Sequence, residues 1–325
     1  MKGRCKRLLW WGVLLAASGL LVAFAGTFAM AQDKYPSRSI EYIVPWGPGG
    51  GADQLARKSG VLMEKELKVP FPVIDVPGAT GGTGIAKLLA APADGQSIAV
   101  YIADSHAVLA TSPASWKMSD ITPVARLILG PSFLFVKEGG RFKSWGDFEK
   151  EAKAKPGTLK VATLGFGSVD DITLTYLESK GVKVIQVPYS KPSERYVSVL
   201  GNHVDALYEQ AGDVAQYITG KQIKPIIIFG AQRFLAFKDV PCSRELGYDV
   251  GLPQFRSIIV KAGTDPKKVK VLSDAFGKVA ATPEYKAFLA EQYATEDSFM
   301  NHEECTKFIL TELETMNKTW GAKKK

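Results

Sequence analysis

The sequence IEYIVPWGPGGGAD at residues 40–53 joins an apolar, β-branched run to a glycine-rich turn and then to an amphipathic stretch. This order predicts a buried strand, a turn that lets backbone approach a ligand closely, and a helix whose first N–H groups suit an anion. A Walker-type phosphate loop would need Lys and then Ser or Thr after the last glycine, but Ala52 and Asp53 follow here. Because a carboxylate at that point repels phosphate, we expect a weaker anion, such as a carboxylate, bound directly or through water.

A second turn of the same kind follows the next predicted strand, where residues 72–76 run into PGATGGTG at residues 77–84. Its glycine spacing differs from the dinucleotide fingerprint Gly-x-Gly-x-x-Gly, and no acid ends a following strand before Asp104, so nicotinamide binding is disfavoured. Both turns follow the carboxyl ends of predicted strands. That edge is where open α/β sheets bind their ligands.

The remaining chain alternates short apolar runs with longer amphipathic stretches, a pattern typical of an α/β fold with mainly parallel strands. Helices are predicted at 53–67 and at the carboxyl end, where Ile309, Leu313, Met316 and Trp320 share one face. The predicted strands cover residues 40–45, 72–76, 97–102, 133–137, 160–163, 183–187, 204–208, 224–229 and 256–261.

The chain has 325 residues, of which 46% are hydrophobic, enough for two domains and too apolar for disorder. A basic cluster at residues 2–7, an apolar run at 8–28 and the triplet Ala-Met-Ala at 29–31 predict a signal peptide over residues 1–31. A retained membrane anchor is the alternative, because the run is long enough to span a bilayer. Removing the peptide lowers the formal charge from +8 to +4, so nucleic-acid binding has no electrostatic support.

Cysteine and histidine are scarce. Cys5 leaves with the predicted signal peptide, so either Cys242 and Cys305 form a disulfide in an oxidising compartment or both are buried thiols. No Cys/His pair has metal-ligand spacing, and His106 is interpreted as a structural residue. We therefore expect no metal and no cofactor.

Several further motifs follow in order: APADG at 91–95, VPY at 187–189, LGNHVD at 200–205, VPCSRELGYD at 240–249 and TPEY at 282–285. Together with residues 36–57 and 77–84, they resemble the solute-binding proteins of tripartite tricarboxylate transporters, the Bug or tricarboxylate-receptor family. The resemblance covers essentially the whole mature chain.

The resemblance implies an α/β, two-domain periplasmic-binding-protein fold, type II-like, with a ligand cleft between domains joined by two crossing strands. The first domain would comprise residues 32–130 and 232–325, the second residues 131–231, and closure would occur about strands near 130–137 and 226–233. The implied function is a monomeric, non-enzymatic receptor in the periplasm that delivers a small carboxylate, plain, substituted or aromatic, to the membrane subunits of a secondary transporter.

The residues expected to bind the ligand come from both domains. Those of the first domain are Trp46, Gly47, Pro48, Gly49, Gly50, Gly51, Asp53, Gly81, Gly82, Thr83 and Ser105, and those of the second are Gly167, Ser168, Asp170, Asp171, Tyr189 and Tyr208. Several have an alternative interpretation. Trp46 could cap the core, the acids could serve only their helix starts, and the two tyrosines, like Glu209, could be buried without ligand contact.

Two departures from the family pattern affect the second domain. The family commonly has His where this chain has Asp171, and usually continues VPY with Lys-Gly where this chain has Ser190, Lys191 and Pro192. An acid facing the ligand needs a partner. The departures therefore favour a carboxylate that carries an amino or hydroxyl group, whereas the resemblance alone favours a plain di- or tricarboxylate.

The sequence bears on two other classes of function. A secreted hydrolase is disfavoured because the chain has no Gly-x-Ser-x-Gly elbow and no cysteine beside an evident histidine. A sensor or docking protein that uses the same cleft is not distinguished by sequence.

Overall fold

A computed structural model describes residues 35–321. The predicted signal peptide lies outside the described residues, as does the lysine-rich end. No helix within residues 35–321 combines the length and apolar character needed to cross a membrane.

The first five-stranded sheet has the order β2-β1-β3-β10-β4. Its strands are β1 (Glu41–Val44), β2 (Val73–Asp75), β3 (Ser97–Ile102), β4 (Ile121–Gly130) and β10 (Gln254–Lys261). Strand β1 is parallel to β2 and β3, whereas β10 is antiparallel to β3 and β4.

The second sheet repeats this arrangement in the order β7-β6-β8-β5-β9. Its strands are β5 (Ser132–Lys137), β6 (Lys160–Thr163), β7 (Ile185–Pro188), β8 (Ala206–Glu209) and β9 (Ile223–Phe229). Strand β6 is parallel to β7 and β8, and β5 is antiparallel to β8 and β9. In each sheet one strand, β10 or β5, runs opposite to the other four, so the prediction of mainly parallel strands is confirmed for strand direction, although two of the four strand pairs in each sheet are antiparallel.

Helices cover both sheets. They are α1 (Gly51–Leu67), α2 (Gly82–Ala90), α3 (Ala103–Thr111), α4 (Trp145–Ala154), α5 (Val169–Ser179), α6 (Pro192–Leu200), α7 (Ala215–Thr219), α8 (Pro266–Ala281), α9 (Pro283–Glu291) and α10 (His302–Gly321). Helix α10 buries Cys305, Ile309 and Met316 in the core of the first sheet, as expected for a docked carboxyl-terminal helix.

The chain passes between the sheets twice, from β4 to β5 at residues 130–132 and from β9 to β10 at residues 229–254. We call residues 38–130 and 252–321 the first lobe and residues 132–250 the second lobe. The sequence assigns residues 232–250 to the first domain, but Phe234, Phe237 and Val250 pack on the second sheet. We therefore propose a domain boundary near residue 251 rather than 232.

The expectation of a disulfide is wrong. Cys242 pairs with Ile228 beside β9 in the second lobe, whereas Cys305 lies in α10 of the first lobe, 3.6 Å from the Ser257 hydroxyl. Both thiols are buried and free. The two cysteines lie in different lobes, because the segment around Cys242 packs on the second sheet and not on the first.

Candidate functional site

A small cavity of about 30 Å³ lies between the lobes at the start of α1. The first lobe lines it with Trp46, Gly50, Gly51, Ala52, Ile102, Asp104 and Arg256, and the second with Leu164, Pro192, Arg195, Tyr196, Glu209, Gln210 and Asp213. This volume holds roughly one water molecule. The lobes are therefore in close contact around this cavity, and we call this arrangement the closed structure.

Three polar contacts join the lobes around the cavity. The Val169 N–H donates to Asp104 Oδ1 at 3.0 Å, and the Thr111 hydroxyl donates to the Gly167 carbonyl at 3.0 Å. The third is an ion pair, in which Arg256 Nη2 lies 2.5 Å from Asp213 Oδ1. Closure thus depends on specific donors and acceptors as well as on apolar packing.

Charged side chains crowd the site. Arg256 pairs with Asp213 across the lobes, and Arg195 pairs with Glu209 within the second lobe. Asp104 and Asp170 are also fully buried, and neither forms an ion pair with a cation in residues 35–321. The site therefore holds four carboxyl groups and two guanidinium groups.

Burial keeps several of these carboxyl groups from ionising normally. Desolvation raises the pKa of Asp104 to about 6 and that of Glu209 to about 7. It also raises the pKa of Asp170, and the neighbouring Asp104 raises it further. A cation or hydrogen-bond donor placed beside Asp104 would stabilise its charged form.

The start of α1 faces the same cavity. No side chain caps this helix, and Gly51, its first residue, has no room for a Cβ because Arg256 and Asp213 lie over it. The unpaired N–H groups of a helix start attract an anion, and here the Asp213 carboxylate lies beside Gly51, the first residue of the helix.

Several buried polar atoms that line the cavity have no hydrogen-bond partner in residues 35–321. They are Trp46 Nε1, Arg195 Nε and Nη1, the Tyr196 hydroxyl and Asp104 Oδ2. All but the last can donate, so the site offers several donors to a ligand oxygen and one acceptor to a ligand donor.

The first glycine-rich turn lies where the sequence places it. Trp46, Gly50 and Gly51 line the cavity, and Pro48 and Gly49 line an adjoining outer groove of about 860 Å³. Pro192 packs on Gly47 and Gly50, so the departure after VPY contacts this turn directly. Asp53 stabilises the turn instead of lining the cavity.

The contacts of Asp53 show this role. Its Oδ2 accepts the Gly49 N–H at 2.8 Å, and its Oδ1 lies 2.6 Å from Arg57 Nε. Both contacts lie within the turn and the first two turns of α1.

The second glycine-rich turn does not line the cavity. Gly81 packs against Ser105, Gly82 faces Trp116, and Thr83 is exposed. Ser105 is itself buried beneath Gly81. In this closed structure Gly81, Gly82 and Ser105 pack on one another and on Trp116, away from the residues that line the cavity.

The predicted second-lobe residues mostly serve their own lobe. The Ser168 hydroxyl accepts the Asp171 N–H and caps α5. The Asp171 carboxylate accepts from the Gly167 N–H at 2.8 Å and from the Gln186 amide at 2.8 Å. Gly167 nevertheless contacts the first lobe through Thr111.

Three further predicted residues lie behind the cavity. Tyr208 donates to the Thr173 hydroxyl and stacks on Phe229 with ring centroids 5.1 Å apart, and Tyr189 is half-buried against the same lobe. Asp170 accepts the Leu164 N–H at 2.8 Å. Their burial matches the alternative interpretation of these side chains.

Sequence reasoning missed Asp104, Arg195, Asp213 and Arg256. The one available signal was a charged residue inside an apolar strand pattern, as at Arg256 in QFRSIIVK, or directly after a strand, as at Asp104. The four residues come from distant segments, so nothing local indicates that they meet.

Within residues 35–321 no cluster of metal-ligating side chains is present.

Two similar lobes that close over a polar cavity define a periplasmic-binding-protein fold, and solved structures agree. MatC from Rhodopseudomonas palustris with bound malate is 23% identical, with a TM-score of 0.80 over 88% of this chain and 100% of that one. Rpa4515 of R. palustris with adipate is 19% identical, with a TM-score of 0.81 over 88% and 98%.

Sequence comparison narrows the class to a family. The model of the tripartite tricarboxylate transporter family receptor matches residues 55–321. The protein BugT of Bordetella pertussis is 28% identical over 292 residues, 87% of this chain and 89% of BugT. The chain belongs to the tripartite tricarboxylate transporter receptor family, and the resemblance stated from its motifs is confirmed.

Proposed function

We propose that this chain is a periplasmic solute receptor that captures a small carboxylate between its lobes and delivers it to the membrane subunits of a tripartite tricarboxylate-type transporter. The observation that carries the proposal is the convergence of the α1 start, Arg256 and Arg195 on one cavity between the lobes. Family membership supports it, as do the structural relatives with malate and adipate. The receptor acts as an exported monomer.

Ligand entry requires the lobes to separate. Pockets for small molecules usually measure about 300–1,000 Å³, whereas the closed cavity measures about 30 Å³. The two crossings at residues 130–132 and 229–254 are the places where the chain can bend without breaking either sheet. The outer groove that shares Tyr196 and Asp213 with the cavity gives the ligand a path inward.

The charge of the site favours a substituted carboxylate. The two arginines of the cavity are already paired with Asp213 and Glu209, which leaves no unpaired guanidinium for a second ligand carboxylate, and Asp104 offers an unpartnered oxygen. An amino or hydroxyl group on the ligand would donate to Asp104. Asp104 replaces Asp170 or Asp171, the acceptors expected from the sequence. The Asp171 carboxylate already accepts bonds within its own lobe, and Asp170 accepts the Leu164 N–H.

A thermal-shift screen of the purified protein tests the proposal. The panel holds amino acids, hydroxy acids such as malate, dicarboxylates such as adipate, and aromatic acids. A ligand at 100 times its dissociation constant stabilises the folded state by about 2.7 kcal/mol. We expect at least one amino or hydroxy acid to stabilise the protein, and stabilisation by none of these acids would contradict the function.

The substituted carboxylate needs its own control. Asp104→Asn keeps the shape of the side chain and removes its charge, so it should weaken binding of an amino acid more than binding of the matching unsubstituted acid. Equal effects on both would contradict a role for Asp104 in selecting the ligand.

Uptake by cells that express the cognate membrane subunits distinguishes a receptor from a sensor, because only a receptor supports transport.

A further inference from the structure

The ion pair between Arg256 and Asp213 is unusual in its position. Arg256 belongs to β10 of the first lobe and Asp213 to the short turn Gly212–Val214 of the second lobe. Both side chains are almost fully buried, with 2% and 6% exposed. The pair therefore joins the two lobes in this structure, and we expect it to break when they separate.

The pair also lies at the place where the sequence predicts a ligand carboxylate. Arg256 and Asp213 both lie directly over Gly51 at the uncapped start of α1. The turn that carries Asp213 fits tightly against the first lobe, because a Cβ at Gly212 would overlap the Gln292 backbone. A carboxylate of the protein itself, that of Asp213, thus already lies beside the start of α1 and pairs with Arg256.

Arg256 has support that does not depend on Asp213. The Gln292 side-chain oxygen accepts from Arg256 Nη1 at 3.3 Å, and the Gln292 amide donates to the Gln54 oxygen at 3.0 Å. All three residues belong to the first lobe. Arg256 therefore keeps a polar partner in that lobe when the second lobe moves away.

We propose that Asp213 is a built-in substitute for the ligand carboxylate, which the ligand displaces from Arg256 and from the start of α1. The closed cavity leaves room for roughly one water molecule beside the Asp213 side chain. An exchange of one carboxylate for another keeps the buried guanidinium paired, which avoids the cost of leaving a buried charge alone. The inference rests on the proposed function only in taking the ligand to be a carboxylate.

The second buried pair of the site behaves differently. Arg195 and Glu209 both belong to the second lobe, so opening of the cleft leaves their contact intact. The exchange is therefore assigned to Arg256 and Asp213 alone.

Rescue by acetate tests the proposal without knowledge of the natural ligand. Asp213→Ala removes the built-in carboxylate and leaves a space that fits acetate. We expect acetate to raise the melting temperature of this variant saturably, at constant ionic strength. Its half-saturating concentration should be about tenfold lower than for the unmodified protein, a ratio equivalent to about 1.4 kcal/mol.

Two controls test whether acetate binds at Arg256 and whether its negative charge is required. Acetamide has nearly the same shape and no charge, so it should not rescue Asp213→Ala. The double variant Asp213→Ala with Arg256→Gln should lose the acetate effect, because the guanidinium partner is gone. If Asp213→Ala does not fold, the near-isosteric Asp213→Asn takes its place and is expected to bind acetate more tightly than the unmodified protein.

The outcomes separate this inference from the proposed function. If acetate acts equally on Asp213→Ala and on the unmodified protein, or on neither, the exchange is overturned even where an acid of the screening panel binds. The exchange is also overturned if Asp213→Asn weakens carboxylate binding, because Asp213 would then be a latch that the bound state retains. If acetate rescues the variant while no acid of the panel binds, the exchange stands and the proposed function fails.

Discussion

Asp104 is the residue whose chemistry the closed structure changes most clearly. The pKa of a free aspartate is about 3.9, and burial raises that of Asp104 to about 6. Between these values the folded chain retains a proton that the unfolded chain has lost. The free energy of unfolding therefore falls as the pH rises from about 4 to about 6, and this contribution is fully lost above that range.

We predict that Asp104→Asn removes this fall in the free energy of unfolding between about pH 4 and pH 6. The variant should exceed the unmodified protein in stability by about 2–3 kcal/mol at pH 7.5, because its side chain has no charge to bury. The two should have similar stability at pH 4. Urea unfolding at both pH values measures the difference.

A second titrating residue makes the comparison between variants necessary. Burial lowers the pKa of His106 to about 4, so its contribution to stability rises with pH over much of the same range. His106 is present in both proteins, so its contribution cancels when the stability of the unmodified protein is subtracted from that of Asp104→Asn. An equal gain for Asp104→Asn at both pH values would contradict the assigned pKa of Asp104.

At the scale of elements, the apolar runs predicted strands well. Strands β3 and β6 match their predicted bounds, because each is a short β-branched run. Strand β4 was missed, although it is the longest, because Pro123 and Arg126 break its apolar pattern. Pro123 is tolerated because β4 is an edge strand, and Arg126 is buried because it donates to the carbonyls of Asp297 and Ser298.

The sequence predicts only the part of the site that one continuous segment forms. The turn at residues 46–51 carries its own signal, since glycines before a helix start allow close approach and leave N–H groups free. The charged half of the site comes from α3, α6, the turn at residue 213 and β10. Their meeting depends on sheet order and lobe closure, which no local pattern encodes.

Helix α1 supplies a matched pair of substitutions. Gly51→Ala places a Cβ where Arg256 and Asp213 lie, so it should reduce carboxylate affinity at least about tenfold and destabilise the protein by about 1–3 kcal/mol. Gly60→Ala in the same helix meets only ordinary contacts at 3.7 Å and should stabilise the fold by about 0.5–1 kcal/mol. Calorimetric titration and urea unfolding measure both. Unchanged affinity in Gly51→Ala would contradict the position given to the anion site.

At the scale of the whole molecule, lobe closure is the motion on which the account depends. Asp213→Lys places two cations together across the cleft and should hold the lobes apart, giving a measurably larger radius of gyration in solution scattering. Asp274→Lys reverses a charge in an exposed pair with Lys270 on α8 and should leave the curve unchanged. Superimposable curves for all three proteins would show that the pair between Arg256 and Asp213 does not control closure.

Both proposals require that a ligand carboxylate binds at Arg256 between the lobes. The most direct test of this requirement is a calorimetric titration of the best-binding acid of the panel, and of its carboxamide, into the unmodified protein and into Arg256→Gln. We expect one site per chain for the acid, no measurable binding of the carboxamide, and at least a tenfold loss of affinity, about 1.4 kcal/mol, in Arg256→Gln. Equal affinity of the acid for both proteins, or of the acid and its carboxamide for the unmodified protein, would contradict it.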